Sequence, residues 1–425
     1  MTSESGSGAT RRDFMKTAAL AAATAFVGGA PRAARGANER LGVGFIGCGG
    51  RAGSHIGMVK HLKERQGYPV DLVAFSDVYR PRMERAAKEH GGSGYMDHRE
   101  LLADPKVDVV CIATPDHIHA PQAIDAVKAG KDVYVEKPLT HWRQFDLAKQ
   151  LAAEAKKAGR MVQVGSQGMS DGAWHQMRKL VQDGLIGQPI HAECGYFRVG
   201  DWGERGMPID DKNAKPGPDL NWEAFLGDSP KRDFDVSRFF RWRMYEDYAG
   251  GPCTDLFPHS LSPVVSMLGV TFPSLAVATG GMFRYTEREV PDTFNMLIDY
   301  PEKITVAVLG TQGNNDPTIP GRGAGGRIPV LRGWDGSLTV SGKEILFFPA
   351  DRVKDKPRQT FPIEHAENNV DHWKNLLDCT KSRKNELNAP IELGYHVQTA
   401  LIMGYLALKQ GRTARFDAEK QQIVV

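Results

Sequence analysis

The segment Gly47-Cys48-Gly49-Gly50-Arg51-Ala52 follows the apolar run 43–46 and precedes a helical pattern from Gly53 to Lys63. Spaced in this way, Gly47 permits a tight turn and Gly49 lets the backbone approach a pyrophosphate. Ala52, in place of a third glycine, still allows the helix to pack closely on the strand. Gly50 and Arg51 complete the turn at a helix start, where unpaired N–H groups attract phosphate. Asp77 closes the next apolar run. A carboxylate there would accept hydrogen bonds from the hydroxyls of an adenosine ribose and repel a 2′-phosphate, which favours NAD over NADP. Arg80 nearby leaves NADP open, and an N-cap role for Asp77 is compatible with the same position.

Two further segments stand where such a cofactor's reactive ring would lie. Thr114-Pro115-Asp116-His117-Ile118-His119 ends the third apolar run, and Glu136-Lys137-Pro138-Leu139 ends the fourth. Ligands bind beyond the carboxyl ends of strands in open parallel sheets, so Thr114, Pro115, His117, Glu136 and Lys137 are expected to line that pocket. Pro138 restricts the backbone of Lys137 and suits its ammonium to a place beside a reacting hydroxyl or carbonyl. Downstream, Asp255 and His259 are spaced i, i+4. On one helix face, that carboxylate can orient the imidazole.

The elements that must position these groups alternate in the first half of the chain. Apolar strands (43–46, 70–78, 107–113, 132–135, 161–164) are separated by helical stretches (80–90, 120–129, 145–158), which predicts βαβ units and a doubly wound parallel sheet. From about Ser166 the period shifts toward two, with strands at 190–197, 275–285, 292–300, 304–309, 338–341 and 344–348 and a hairpin turning at Pro301-Glu302. Segments 200–218 and 313–336 read as long and irregular, and 372–408 as helical with a break near Asn388-Ala389-Pro390. The expected division is a leader over 1–37, a dinucleotide-binding domain over 38–165 and a substrate and oligomerisation domain over 166–425.

The leader carries Thr10-Arg11-Arg12-Asp13-Phe14-Met15-Lys16, then an uncharged Ala-rich run from Thr17 to Ala30 that is too short to span a bilayer. It reads as a twin-arginine export signal, with Ala34 or Ala37 before a cleavage site. Export of an already folded chain points to the periplasm or another extracytoplasmic place and to the twin-arginine machinery as a partner. No later run reaches about 18 apolar residues, so no membrane span is expected in the mature chain.

The 425 residues carry 54 basic against 51 acidic side chains, and no basic patch is interleaved with aromatics, which argues against nucleic acid as a partner. The five cysteines are scattered without a CxxC pair and read as buried thiols. No metal-binding cluster is expected.

On the Gly47 turn, the Thr114 and Glu136 segments, Leu185-Ile186-Gly187-Gln188-Pro189, Asn221 to Gly227, Arg241-Trp242-Arg243 and Gly250-Gly251 through Asp255 to His259, the chain resembles the Gfo/Idh/MocA oxidoreductases over nearly all of its mature length. The resemblance implies a second α/β domain with a large, mostly antiparallel sheet, and a pocket between the domains. It also implies that Lys137, Asp255 and His259 work on the substrate: His259 exchanges the hydroxyl proton and Lys137 stabilises the developing alkoxide. Ser262 stands where many relatives have an acid. Trp242, Arg243, Tyr245 and Tyr248 precede the Asp–His pair and are candidate contacts to a polyhydroxylated ring.

The expected activity is NAD(P)-dependent oxidation or reduction of a sugar, sugar derivative or cyclitol, with a homo-oligomer (dimer or tetramer) as the working form. The periplasm is not expected to supply free nicotinamide nucleotide, so a tightly held cofactor fits export best. The alternative is redox-neutral glycoside cleavage by oxidation, elimination and reduction. A binding or sensory protein that keeps NAD as a structural ligand is a third reading.

Overall fold

The computed structural model describes residues 39–199, 207–315, 321–322, 326–366 and 368–425. The leader and its cleavage boundary lie outside these. Six strands form the first sheet: β1 (Leu41–Ile46), β2 (Val70–Ser76), β3 (Ser93–Tyr95), β4 (Val109–Ile112), β5 (Asp132–Val135) and β6 (Val162–Val164). Their order is β3-β2-β1-β4-β5-β6, and every pairing is parallel. Every residue of β1, β4 and β5 is buried, because helices cover both faces; this is why these strands read as continuous apolar runs rather than alternating ones. Strand order reverses between β1 and β4, so the loops after Ile46, Ile112 and Val135 open into one crevice.

The second sheet has ten strands. These are β7 (Pro189–Phe197), β8 (Leu275–Gly281), β9 (Thr293–Tyr300), β10 (Ile304–Thr311) and β11 (Arg327–Gly333), then β12 (Gly336–Ser341), β13 (Glu344–Pro349), β14 (Gln359–Pro362), β15 (Ala414–Asp417) and β16 (Gln422–Val424). Their order is β14-β13-β12-β11-β7-β10-β9-β8-β15-β16, antiparallel except for β7 beside β10. Alternation along β9 buries Phe294, Met296, Ile298 and Tyr300 against the helices Phe257–Leu268 and Ile391–Gln410, while Leu297 on the other face is exposed. The hairpin at Pro301-Glu302 forms as the sequence predicts, pairing Ile304 with Tyr300.

Five strands escape the sequence pattern: the short β3, β14, β15 and β16, and the longer β11. β11 lies in a stretch read as irregular because Pro329 is rare inside a sheet, where it removes a ladder donor. A register shift between Arg327 and Val330 accommodates it, and β11 still pairs with both β7 and β12. The helical tail is divided, as expected near Asn388, into Asn369–Ser382 and Ile391–Gln410. The first of these returns to the N-terminal domain, where Trp373 is fully buried and stacks on Tyr134 at 4.6 Å.

All five cysteines are free and buried. Among the described residues no helix is long and apolar enough to cross a membrane, and no cluster of His, Cys, Asp or Glu is arranged to hold a metal ion.

Candidate active site

A cleft of about 1030 Å³ runs along the carboxyl end of the parallel sheet and under the second domain. Its floor is the glycine turn. Gly47 has φ +86, and a Cβ there would come within 2.8 Å of the Ala113 carbonyl oxygen, so only glycine fits. Gly49 caps the helix Gly50–Arg65, whose first N–H groups have no partner within the helix. A Cβ at Gly50 would meet no protein atom within 4 Å, and the residue faces the cleft itself. Ala52 is fully buried. This cradle fits a pyrophosphate by shape and by dipole.

Asp77 lines the same cleft, and its carboxylate accepts from the Cys48 N–H at 2.7 Å and the Tyr79 N–H at 2.9 Å. It therefore ties the glycine turn to the start of the next helix while facing the site where a ribose would lie. Burial pushes its pKa up, against the pull of Arg82 and the two amides. Arg80 points elsewhere, onto Asp219 at 2.8 Å, which removes the reason for leaving NADP open on its account.

The two downstream loops meet the cleft differently from the sequence reading. Thr114 and Pro115 line it, and the Thr114 hydroxyl donates to Gln122 at 2.8 Å. His117 does not. It is buried, its Nε2 donates to the Phe225 carbonyl at 2.6 Å, and burial pulls its pKa down to about 3. His119 takes the wall position, with its ring nitrogens 2.8 Å from the Pro138 carbonyl and 2.7 Å from the Thr114 carbonyl, so it bridges the two loops.

Glu136 is the hub of an internal network. Its Oε1 accepts from Arg51 Nε at 2.8 Å, from His55 Nε2 at 2.9 Å and from Gln167 Nε2 at 2.8 Å. Trp373 Nε1 donates to His55 Nδ1 at 2.9 Å, which fixes the His55 proton on Nε2. Burial opposes ionisation of Glu136, but Arg51 and His55 outweigh it and hold the carboxyl well below its usual range. Arg51 thus reaches across to Glu136 rather than toward the phosphates, though both residues remain on the cleft wall.

Lys137 stands at the other end of the cleft. Its Nζ donates to the Asp255 backbone oxygen and, at 2.9 Å, to Oδ1 of the same residue. Arg243 Nε lies 3.3 Å from Asp255 Oδ1, and Arg198 Nη2 lies 3.7 Å from Oδ2. Burial alone would raise the Asp255 pKa; the three cations outweigh it and hold the carboxyl far down.

The expected Asp255–His259 pairing does not form. The helix Pro252–Asp255 ends before Leu256, and Phe257–Leu268 begins a new helix with Pro258 in its first turn, so the i, i+4 spacing straddles a junction. With Asp255 given to Lys137, His259 Nδ1 is buried without a hydrogen-bond partner. The Ser262 hydroxyl donates to the Pro258 carbonyl at 2.6 Å and offers His259 nothing. Burial first, then the Lys137 ammonium, pulls the His259 pKa down to about 3, so the imidazole is neutral at pH 7.

Of the candidate ring contacts, Trp242 and Arg243 line the cleft, with the guanidinium 4.2 Å over the indole. Tyr245 donates to Ser237 at 2.8 Å beneath Arg238, and Tyr248 is fully buried beside Phe225; neither lines the cleft.

Asp116 is the group that sequence reasoning passed over. Although it lies within the Thr114 segment, it is 2% exposed, and Thr254 donates to it at 3.2 Å. Burial pushes its pKa up to about 7, against the pull of Arg243 and Lys137. An aspartate opening a helix behind the Lys137 loop was the available signal.

Residues 41–166 match the description "Oxidoreductase family, NAD-binding Rossmann fold", and residues 171–278 match the C-terminal alpha/beta domain of the same family, more than half of the chain together. The chain belongs to the Gfo/Idh/MocA oxidoreductase family. Residues 41–166 are the family's NAD-binding domain. It is similar to an inositol 2-dehydrogenase of Gluconacetobacter diazotrophicus, 25% identical over 54% of this chain and 63% of that one. It is also similar to an alpha-N-acetylgalactosaminidase of Shewanella oneidensis, 30% identical over 39% of this chain and 36% of that one. The chain therefore spans less than two thirds of these relatives' length. The WlbA dehydrogenase of Chromobacterium violaceum, solved with NADH and UDP-GlcNAcA, shares the fold with TM-score 0.68 at 16% identity, covering 92% of this chain and 99% of that one.

Proposed function

We propose that the protein oxidises or reduces a CH–OH group of a sugar, sugar derivative or cyclitol, using a tightly held NAD. The observation that carries this is the Lys137 ammonium, fixed by Asp255 at 2.9 Å in the cleft whose other end is the Gly47 turn. NAD, when bound, supplies the hydride acceptor. The chain does the rest. The Gly47 turn and the helix start at Gly50 hold the pyrophosphate, and Asp77 takes the ribose hydroxyls. Lys137 donates to the substrate oxygen and stabilises the alkoxide as its proton leaves. His259 is neutral, with Nδ1 shut off from solvent, so Nε2 is the atom that accepts that proton. Trp242 and Arg243 flank the ring.

The leader extends this reading to a periplasmic protein exported folded with its cofactor inside, which explains why the nucleotide would be retained through turnover. Denaturing the purified protein and weighing the released nucleotide tests retention. A panel of sugars, cyclitols and glycosides then tests the reaction by mass balance. A keto sugar or lactone supports the proposal, whereas free aglycone without net redox change supports cleavage instead. Replacing Arg11 and Arg12 by Lys, followed by cell fractionation, tests the route; unchanged export would reject it.

A further inference from the structure

Across the cleft from Lys137, at the adenosine end, the second domain places a carboxylate where it alters the nucleotide site. Arg82, on the helix Arg80–His90, carries its Nη1 over the glycine turn, 3.4 Å from where a Cβ on Gly49 would stand. It is close enough to pull on Asp77 electrostatically. A guanidinium in this place is a ready partner for a phosphate, because its planar fork donates two parallel hydrogen bonds to a pair of phosphate oxygens. Here it is already engaged. Asp210, from the segment that crosses over from the second domain, accepts from Arg82 Nε at 2.6 Å, and Phe240 lies beneath the guanidinium at 5.2 Å. Both Arg82 and Asp210 line the cleft.

We propose that Asp210 is a specificity-determining residue for the nucleotide: by holding Arg82, it denies a 2′-phosphate its cation and adds a second negative charge to that of Asp77. Selection of NAD over NADP is then divided between the two domains. Arg85 lines the same end of the cleft, so positive charge there is not scarce; what Asp210 withholds is the guanidinium over the turn. The inference rests on the NAD-binding domain and is independent of which substrate the enzyme takes.

The test uses the full-length protein exchanged against an equimolar mixture of NAD and NADP, desalted and denatured, with the two released nucleotides quantified by mass spectrometry. Asp210→Asn keeps the shape of the side chain and releases Arg82. The bound NADP:NAD ratio should rise roughly ten- to a hundredfold, the range of a hydrogen bond to a charged group. The double variant Arg82→Ala, Asp210→Asn should lose that gain, because the released cation is gone. If the pair merely ties the domains together, Asp210→Asn weakens both nucleotides alike and leaves the ratio unchanged; that result overturns the proposal. Asp210→Ser provides the same reading if the asparagine variant fails to fold.

Discussion

The Lys137 ammonium donates to both the side chain and the main chain of Asp255, a residue 118 positions away in the other domain. The cation nearest the proposed reacting oxygen is therefore held by a group that moves with the substrate domain. Its position depends on how the domains are docked, and its charge is shared with a carboxylate that Arg198 and Arg243 also neutralise.

Replacing Asp255 by Asn removes the anion and leaves three cations around a neutral amide. Losing a charge-assisted hydrogen bond should lower kcat/KM about ten- to a hundredfold, with nucleotide retention nearly unchanged. Steady-state kinetics beside the released-nucleotide measurement would show it. An equal loss of both would mean that the pair is purely structural.

His259→Ala should reduce turnover by roughly 10²–10⁴-fold if the imidazole is the general base. The pH profile is the sharper measurement. A base is active while unprotonated and is lost as pH falls through its pKa, which for His259 is about 3. Activity should therefore show no histidine-type loss between pH 5 and 8. An acid limb near pH 6.5 that disappears in the variant would contradict this environment.

How much of this site the sequence revealed depended on distance along the chain. The glycine turn, Asp77 and the Lys137 loop were legible because each is local chemistry at the end of a buried strand. The Asp255–His259 spacing misled, since i, i+4 implies one face only where the helix is continuous; Pro258 was the local sign of a new helix start. His117 and His119 look alike in the sequence, and only packing against Phe225 decides which is turned away from the cleft. The pairs Lys137–Asp255 and Arg82–Asp210 join segments more than a hundred residues apart, and no periodic pattern encodes them.

Asp116 should make folding stability depend on pH. The unfolded chain releases its proton near 3.8 and the folded chain near 7, so between these values only the folded state holds it. Stability should then fall as pH rises through that window, by up to roughly 4 kcal/mol at full ionisation. Asp116→Asn should flatten the slope, as read by denaturant melts from pH 4 to 8; an unchanged slope would assign it elsewhere.

Gly47→Ala places a methyl against the Ala113 carbonyl and requires a left-handed backbone. The backbone conformation alone costs about 1–2 kcal/mol. The turn should open, and nucleotide recovered from the purified protein should drop sharply even where the fold survives. Gly57→Ala, further along the same helix and away from the cleft, meets open space and should keep its nucleotide, which makes it the control.

The return of Trp373 to the N-terminal domain has a consequence for biosynthesis. Its indole covers Tyr134 and Phe45 and aligns His55 behind Glu136. A nascent chain that has not yet emerged beyond Asn369 lacks that cover, although every strand of the parallel sheet has left the ribosome. The cover over Tyr134 and the bond that sets the His55 tautomer are thus completed only once the C-terminal tail has docked.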